Sequence, residues 1–298
     1  MEKISFYDQI SKNKRDSVLL GILVFSFLIG LVYVIAMILT PGFSFGFLTI
    51  AGIIMILYAY GSYNYGDKVV LAATGAKPVK EGDRKYIHLI NVVEGLSIAA
   101  GIPKPKIYVI ESNEMNAFAT GKDPKNASIA VTTALLNNLK RDELEGVIGH
   151  EMSHIRNYDI RFATYIAVLV GLVAILSDIL LRTFRFSSGD RDKGKGFGLL
   201  IIIGFILAIF APIVVRLVQF AISRRREFLA DASSAELTRY PEGLASALEK
   251  IMKVNEGKMK VSEAVSHLFF VDPNKSALDS LYATHPDIRQ RIKILRSM

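Results

Sequence analysis

Cysteine is absent from all 298 residues. That excludes a disulfide framework, a thiolate metal site and a cysteine nucleophile, so any metal must be held by histidine, carboxylate or backbone oxygen. Histidine is scarce, with five copies. No internal repeat, low-complexity tract or recognised RNA- or DNA-binding module occurs. The formal net charge of +8 is therefore read as Lys and Arg flanking membrane segments and facing anionic lipid, with no nucleic acid as partner. What is abundant is apolar: 51% of residues are hydrophobic and the mean hydropathy is +0.34. That content is gathered into a few long stretches rather than spread at core periodicity.

Four stretches stand out. Val18–Leu39 carries no charge, ends at Thr40-Pro41-Gly42, and is long enough for a hydrocarbon core of about 30 Å. A signal peptide is the alternative, disfavoured by the apolar length and the lack of a small-residue cleavage pattern. Phe43 to Tyr60 follows after a tight turn, and Tyr58, Tyr60 and Tyr63 suit a headgroup interface. The third runs from Phe162 to Leu181, with Asp178 near its far end, and the fourth from Phe197 to Phe220, interrupted by Pro212 and Arg216. Lys12, Lys14, Arg15 and Lys68 put both ends of the first hairpin on the cytoplasmic side. The second hairpin is less regular, because Arg182, Arg185, Arg191, Lys193 and Lys195 lie in the loop between its spans. Partial burial of that hairpin is the alternative to four full spans. The Arg224–Arg226 run is read as a lipid-facing cluster.

Between Gly66 and Asn157 the composition is that of an ordinary domain. Tyr86, Ile90, Val93 and Leu96 mark an amphipathic helix stopped at Gly101-Ile102-Pro103. Lys106–Ile110, Met115–Ala119 and Ser128–Thr132 read as strands of a small sheet. Helices are expected from Arg141, from Arg224 to Arg239, from Pro241 and over Ile288–Leu295. The organisation is an N-terminal transmembrane hairpin (1–65), a first part of a catalytic domain (66–160), a second hairpin (161–221) and a second part of that domain (222–298).

The chemistry concentrates in His150-Glu151-Met152-Ser153-His154. Histidines at i and i+4 share one side of a helix, about 6 Å apart at Cβ, so both imidazoles can reach one ion. Glu151, one residue on, can take a proton from water polarised by zinc without competing for the metal. A catalytic zinc takes three protein ligands, and the third must come from elsewhere. Glu227-Phe228-Leu229-Ala230-Asp231 is the best candidate, on the helix that returns from the fourth stretch to the side where the third began. Asp231, one turn after Glu227, could hold a ligand imidazole by hydrogen bonding. On spacing alone, a solvated Arg/Glu-rich helix face remains the other reading. His88 and His267 match no motif and are read as surface or packing residues.

HExxH followed by ExxAD, each bordered by an apolar stretch, resembles the HtpX-type membrane metallopeptidases, relatives of the CaaX prenyl endopeptidase. The resemblance covers nearly the whole chain. It implies a mainly α integral membrane protein with a small α+β zincin-like domain and about four transmembrane helices as two hairpins. It further implies one Zn2+ held by His150, His154 and Glu227, with Glu151 as base. Met115–Gly121 resembles the family's Asn-Ala strand, which pairs with the substrate backbone, so that Asn116 and Ala117 could bind an extended peptide on an exposed edge; a turn Asn before a buried strand is the other reading. Thr284-His285-Pro286 and Arg291 resemble its C-terminal motif; His285 could stabilise an oxyanion or make a structural contact, and Arg291 could pair with a carboxylate. The implied enzyme is a prokaryotic plasma-membrane endopeptidase, its catalytic domain facing the cytoplasm, that acts on unfolded or damaged membrane proteins. A processing peptidase for one lipidated substrate and a non-catalytic zinc-binding scaffold are the alternatives.

Overall fold

A computed structural model describes residues 45–168, 170–171, 224–259, 261–273 and 286–298, with isolated positions at 11, 15 and 19. The Phe197–Phe220 stretch, His285 and, apart from Leu19, the Val18–Leu39 stretch lie outside the described residues, as does most of Phe162–Leu181. Among the described residues no helix is long and apolar enough to cross a membrane.

A four-stranded sheet anchors the domain, with strands β1 (Lys77–Pro78), β2 (Lys106–Ile110), β3 (Ala117–Gly121) and β4 (Ala127–Thr132) in the order β1-β2-β4-β3. β2 and β4 are parallel and pair Ile107 with Ile129; β3 is antiparallel to β4 and pairs Ala119 with Ile129. Side chains alternate between faces, as a strand demands. Ile107, Val109, Ala117, Ala119, Ile129 and Val131 enter the main core, whereas Ile110, Phe118 and Ala130 enter a second core on the other face. With both faces covered, the strands carry few polar positions. β1 has two exposed residues and no alternation, which is why three strands were expected and four are present.

Among the described residues, helices include α1 (Phe45–Ala73), α2 (Ile87–Ala100), α3 (Thr133–Asn138), α4 (Arg141–Arg156), α5 (Arg224–Thr238), α6 (Pro241–Val254), α7 (Glu263–Ser266) and α8 (Ile288–Leu295), and helix also covers 159–168. The main core joins α2, α4, α6 and α8 to the sheet; the second joins the end of α1, through Val70 and Leu71, to Ala167 and the 259–269 segment. Gly101 ends α2 in the left-handed conformation, φ 67°, as its position before Ile102-Pro103 suggested. At the start of α4 the Glu143 carboxylate accepts the Lys140 backbone N–H at 2.7 Å, and it also accepts from Ser246 and Lys250 of α6. Two glycines let neighbouring helices approach the α4 backbone. A Cβ on Gly146 would lie 2.6 Å from the Leu244 nitrogen of α6, and one on Gly149 2.8 Å from Ser234 Oγ of α5.

Candidate metal centre

α5 runs antiparallel to α4, and close backbone approach sets its register. Ser234 Oγ donates to the Gly146 carbonyl at 2.6 Å. Glu227, Asp231 and Ser234 recur at i, i+4 and i+7, one face of α5. That face therefore meets α4 in reverse order, with Ser234 at Gly146, Asp231 at His150, and Glu227 at His150 and His154. The His150 and His154 Nε2 atoms lie 3.1 Å apart, and the Glu227 carboxylate oxygens are 3.6 Å from each. Edges of a tetrahedron with metal–ligand bonds near 2.05 Å are about 3.3 Å. The three side chains thus fit one ion, and they form a His/carboxylate cluster able to hold a metal among the described residues.

The tautomers favour the same conclusion. His150 Nδ1 is 2.9 Å from Asp231 Oδ1, and His154 Nδ1 is 3.0 Å from Asp159 Oδ2. An ionised carboxylate only accepts, so each Nδ1 carries the proton, and in a neutral ring Nε2 turns its lone pair inward. Two such lone pairs and a carboxylate converging at 3–4 Å need a positive charge between them. The surrounding charges agree: the carboxylates of Asp159, Glu227 and Asp231, with Glu151 beside them, outnumber the guanidiniums of Arg226 and Arg291, so the site is short of positive charge.

Arg291, fully buried, forks onto Asp231 with Nε to Oδ2 at 2.8 Å and Nη2 to Oδ1 at 2.7 Å. Against the pull of burial, this partner holds the Asp231 carboxyl below the usual carboxylate range. The same guanidinium lies over the Phe270 ring, 4.7 Å from its centre, and Phe270 meets the His150 ring edge-on. Arg291 therefore backs His150 through Asp231.

Burial pushes His150 down to about 4, so it stays neutral, as a ring that could bind a metal must. For His154, burial is outweighed by the bond to Asp159 and by the Glu227 charge, which push it up to about 9. In the metal-free protein the missing positive charge is then a proton on His154. Because this folded-state value is raised, the stability it confers is complete below the ordinary value of 6.5 and is lost as pH climbs through about 9. Metal competes with that proton. Zinc uptake at neutral pH is expected to release about one proton per site, read by titration calorimetry in buffers of different protonation enthalpy. Uptake without proton release would show that His154 is neutral beforehand.

Glu151 is also buried, and burial, aided by the Glu227 charge, pushes it up to about 7 against the pull of His154, Arg291 and the Ala119 backbone N–H. A carboxyl near 7 is suited to taking up and giving back a proton at neutral pH. The cavity at the site is lined by these groups and by Ala119, Ile160, Ala163, Leu268, Phe269 and Phe270. His154 is the most open of the three metal-facing side chains, 17% exposed.

Asn116 does not stand on an exposed edge. It is fully buried: Nδ2 donates to the Val271 carbonyl at 2.7 Å, and Oδ1 accepts the Val271 and Ala117 N–H groups. The Phe270 N–H donates to the Ala117 carbonyl at 2.8 Å. The 270–271 segment thus covers the edge at Asn116 and Ala117, and Thr164 bonds Gly121 further along. Ala119, between them, is the edge residue that lines the cavity. Two participants escaped the sequence reading. Asp159 carries no motif, because it meets His154 only through a turn. Arg226 is no lipid-facing residue; it lies 3.7 Å from Asp159 and over Phe162. His267, read as a surface or packing residue, does pack: it is buried with Nε2 3.2 Å from the Ala163 carbonyl, and it also lines the cavity.

Comparison with known proteins points the same way. Residues 84–298 match the model of peptidase family M48. The chain is 47% identical over 300 residues to a "Protease HtpX homolog" of Dictyoglomus thermophilum, covering all of this chain and 96% of the relative. A "Protease HtpX homolog" of Streptococcus gordonii is 41% identical over 298 residues, covering 98% of this chain and 99% of the relative. Among solved structures, S. mikatae Ste24p aligns with a TM-score of 0.49 at 20% identity, over 93% of this chain and 65% of that one. With a three-ligand cluster built on HExxH and ExxAD helices, and with relatives matched along their whole length, the chain is a metallopeptidase and belongs to peptidase family M48.

Proposed function

We propose that the chain is a membrane-bound zinc endopeptidase that cuts unfolded or damaged membrane proteins at the cytoplasmic face. The observation that carries the chemistry is the convergence of His150, His154 and Glu227 beside a buried, unligated carboxylate, Glu151. His150, His154 and Glu227 would hold zinc. Bound there, zinc would polarise the scissile carbonyl and make water a competent nucleophile at neutral pH. Glu151 takes a proton from the attacking water and returns it to the departing amine, so that water adds across the peptide bond with no covalent intermediate on the enzyme. Asp231 and Asp159 hold the imidazoles in the Nδ1–H tautomer, and the buried apolar cavity wall limits solvent around Glu151.

The membrane assignment is supported by α1. Ile53, Ile56, Leu57 and Tyr60 are more than half exposed along it, a run of apolar surface that water does not favour. Tyr63, Tyr65 and Lys68 follow at the end nearer the domain, suited to a headgroup layer. Three of the four apolar stretches add to this from sequence alone. An edge reduced to Ala119 offers a peptide a short, side-chain-independent grip, which suits many sequences rather than one.

The test is a choice of substrates. The zinc-loaded protein in liposomes is expected to cleave an unfolded membrane protein at several sites and to leave a prenylated peptide largely intact. Selective cleavage of the prenylated peptide would make it a processing enzyme, and bound zinc with no cleavage of either would make it a scaffold.

A further inference from the structure

Each metal-facing imidazole is backed by a carboxylate, and each carboxylate by an arginine. The His150–Asp231–Arg291 set lies deep, between helices that the sequence marks. The second set, His154–Asp159–Arg226, depends on a break in the chain. Had α4 continued, Asp159 would stand five residues beyond His154, about 140° around the helix and out of reach. Instead α4 stops at Arg156, and Tyr158 adopts the left-handed conformation with φ 61°, rare for a residue with a side chain. Helix resumes over 159–168. The turn swings the Asp159 carboxylate back onto His154, with Oδ2 3.0 Å from Nδ1, while Oδ1 faces Arg226 Nη1 at 3.7 Å. Arg226 immediately precedes Glu227 and is fixed over the Phe162 ring. One guanidinium therefore spans from the turn after the HExxH helix to the helix that supplies the third metal-facing side chain.

We propose that Asp159 and Arg226 are positioning residues for the metal: Asp159 sets the ring orientation and tautomer of His154, and Arg226 locks Asp159 to α5 so that His154 and Glu227 are presented together. The proposal rests on the metal-site reading above. A backbone strained at Tyr158 and a largely buried ion pair that joins two elements are costly features for packing alone, and both converge on one imidazole nitrogen.

The test uses the full-length protein in detergent, with zinc affinity measured by chelator competition and ligand geometry read from the visible absorption of the cobalt-loaded form. Asp159→Asn is expected to weaken zinc binding about 10- to 100-fold and to shift the cobalt bands, with Arg226→Gln giving a smaller change of both in the same direction. Ile251→Ala, which opens a cavity in the main core away from the cavity at the metal site, serves as the control for mere destabilisation and should leave the cobalt spectrum unchanged. Asp159→Asn with wild-type affinity and spectrum would overturn the proposal, as would a spectral shift of equal size in Ile251→Ala. If Asp159→Asn does not fold, Arg226→Gln carries the same comparison: a shifted spectrum supports the pair and an unshifted one rejects it. A wild-type protein that binds no zinc would instead sink the metal-site reading itself.

Discussion

Glu151→Gln is expected to keep its zinc, about one ion per chain, and to lose peptide cleavage by two to four decades, the usual cost of removing a general base. The side chain is nearly isosteric and points to no metal-ligand role, so affinity should change little. A second consequence follows from burial. In the metal-free protein the Glu151 carboxyl is pushed up to about 7 from 4.5. For an acid shifted upward, the folded state binds the extra proton between these values, so stability falls as pH rises from 4.5 to 7 and the penalty is complete above 7. Glutamine removes that penalty. The metal-free variant should be more stable than wild type at pH 8, by up to about 3 kcal/mol, and gain much less at pH 5. Parallel thermal melts at the two pH values, with metal analysis and a cleavage assay, check both halves. A variant that cleaves at the wild-type rate would remove Glu151 from the chemistry.

Glu227→Ala should behave in the opposite way and release the metal. Its carboxylate is the only anionic member of the three-ligand cluster, and without it two imidazoles alone face the ion. Zinc affinity is expected to fall by roughly three decades, taking activity with it at ordinary zinc concentrations. Because Arg291 Nη1 lies 3.8 Å from Glu227 Oε2, the truncation also leaves a guanidinium facing an empty position, adding local positive charge that repels a cation. Equilibrium dialysis of wild type and variant against buffered zinc reads the difference. Retention of both metal and activity would show that another group is the third ligand.

Glu151 and Glu227 were both legible in the sequence, while several of their partners were not. His150, Glu151 and His154 announce themselves because a helix turns spacing into geometry, and Asp231 follows from Glu227 by the same one-turn rule. The α4–α5 pairing could be foreseen by reading the two apolar stretches between them as a hairpin, although its register is set by Gly146, Gly149 and Ser234, which look like unremarkable small residues until the helices touch. Asp159 was invisible because a left-handed Tyr158 overrides helical periodicity. Arg226 reads as part of a basic run, and only tertiary packing turns it toward Phe162 and Asp159. Asn116 was placed at an open edge because a strand motif does not report what covers it; the 270–271 segment comes from more than 150 residues away. Sheet order, too, depends on the two-residue β1, which is too short for any pattern.

The central claim is that one divalent ion sits between the two histidines of α4 and the glutamate of α5. Diffraction from zinc-loaded crystals on either side of the zinc absorption edge tests it most directly. The account predicts a single anomalous peak about 2.0–2.2 Å from His150 Nε2, His154 Nε2 and a Glu227 oxygen. A peak elsewhere, or one at the histidines with the Glu227 side chain turned away and another protein group in its place, would contradict it.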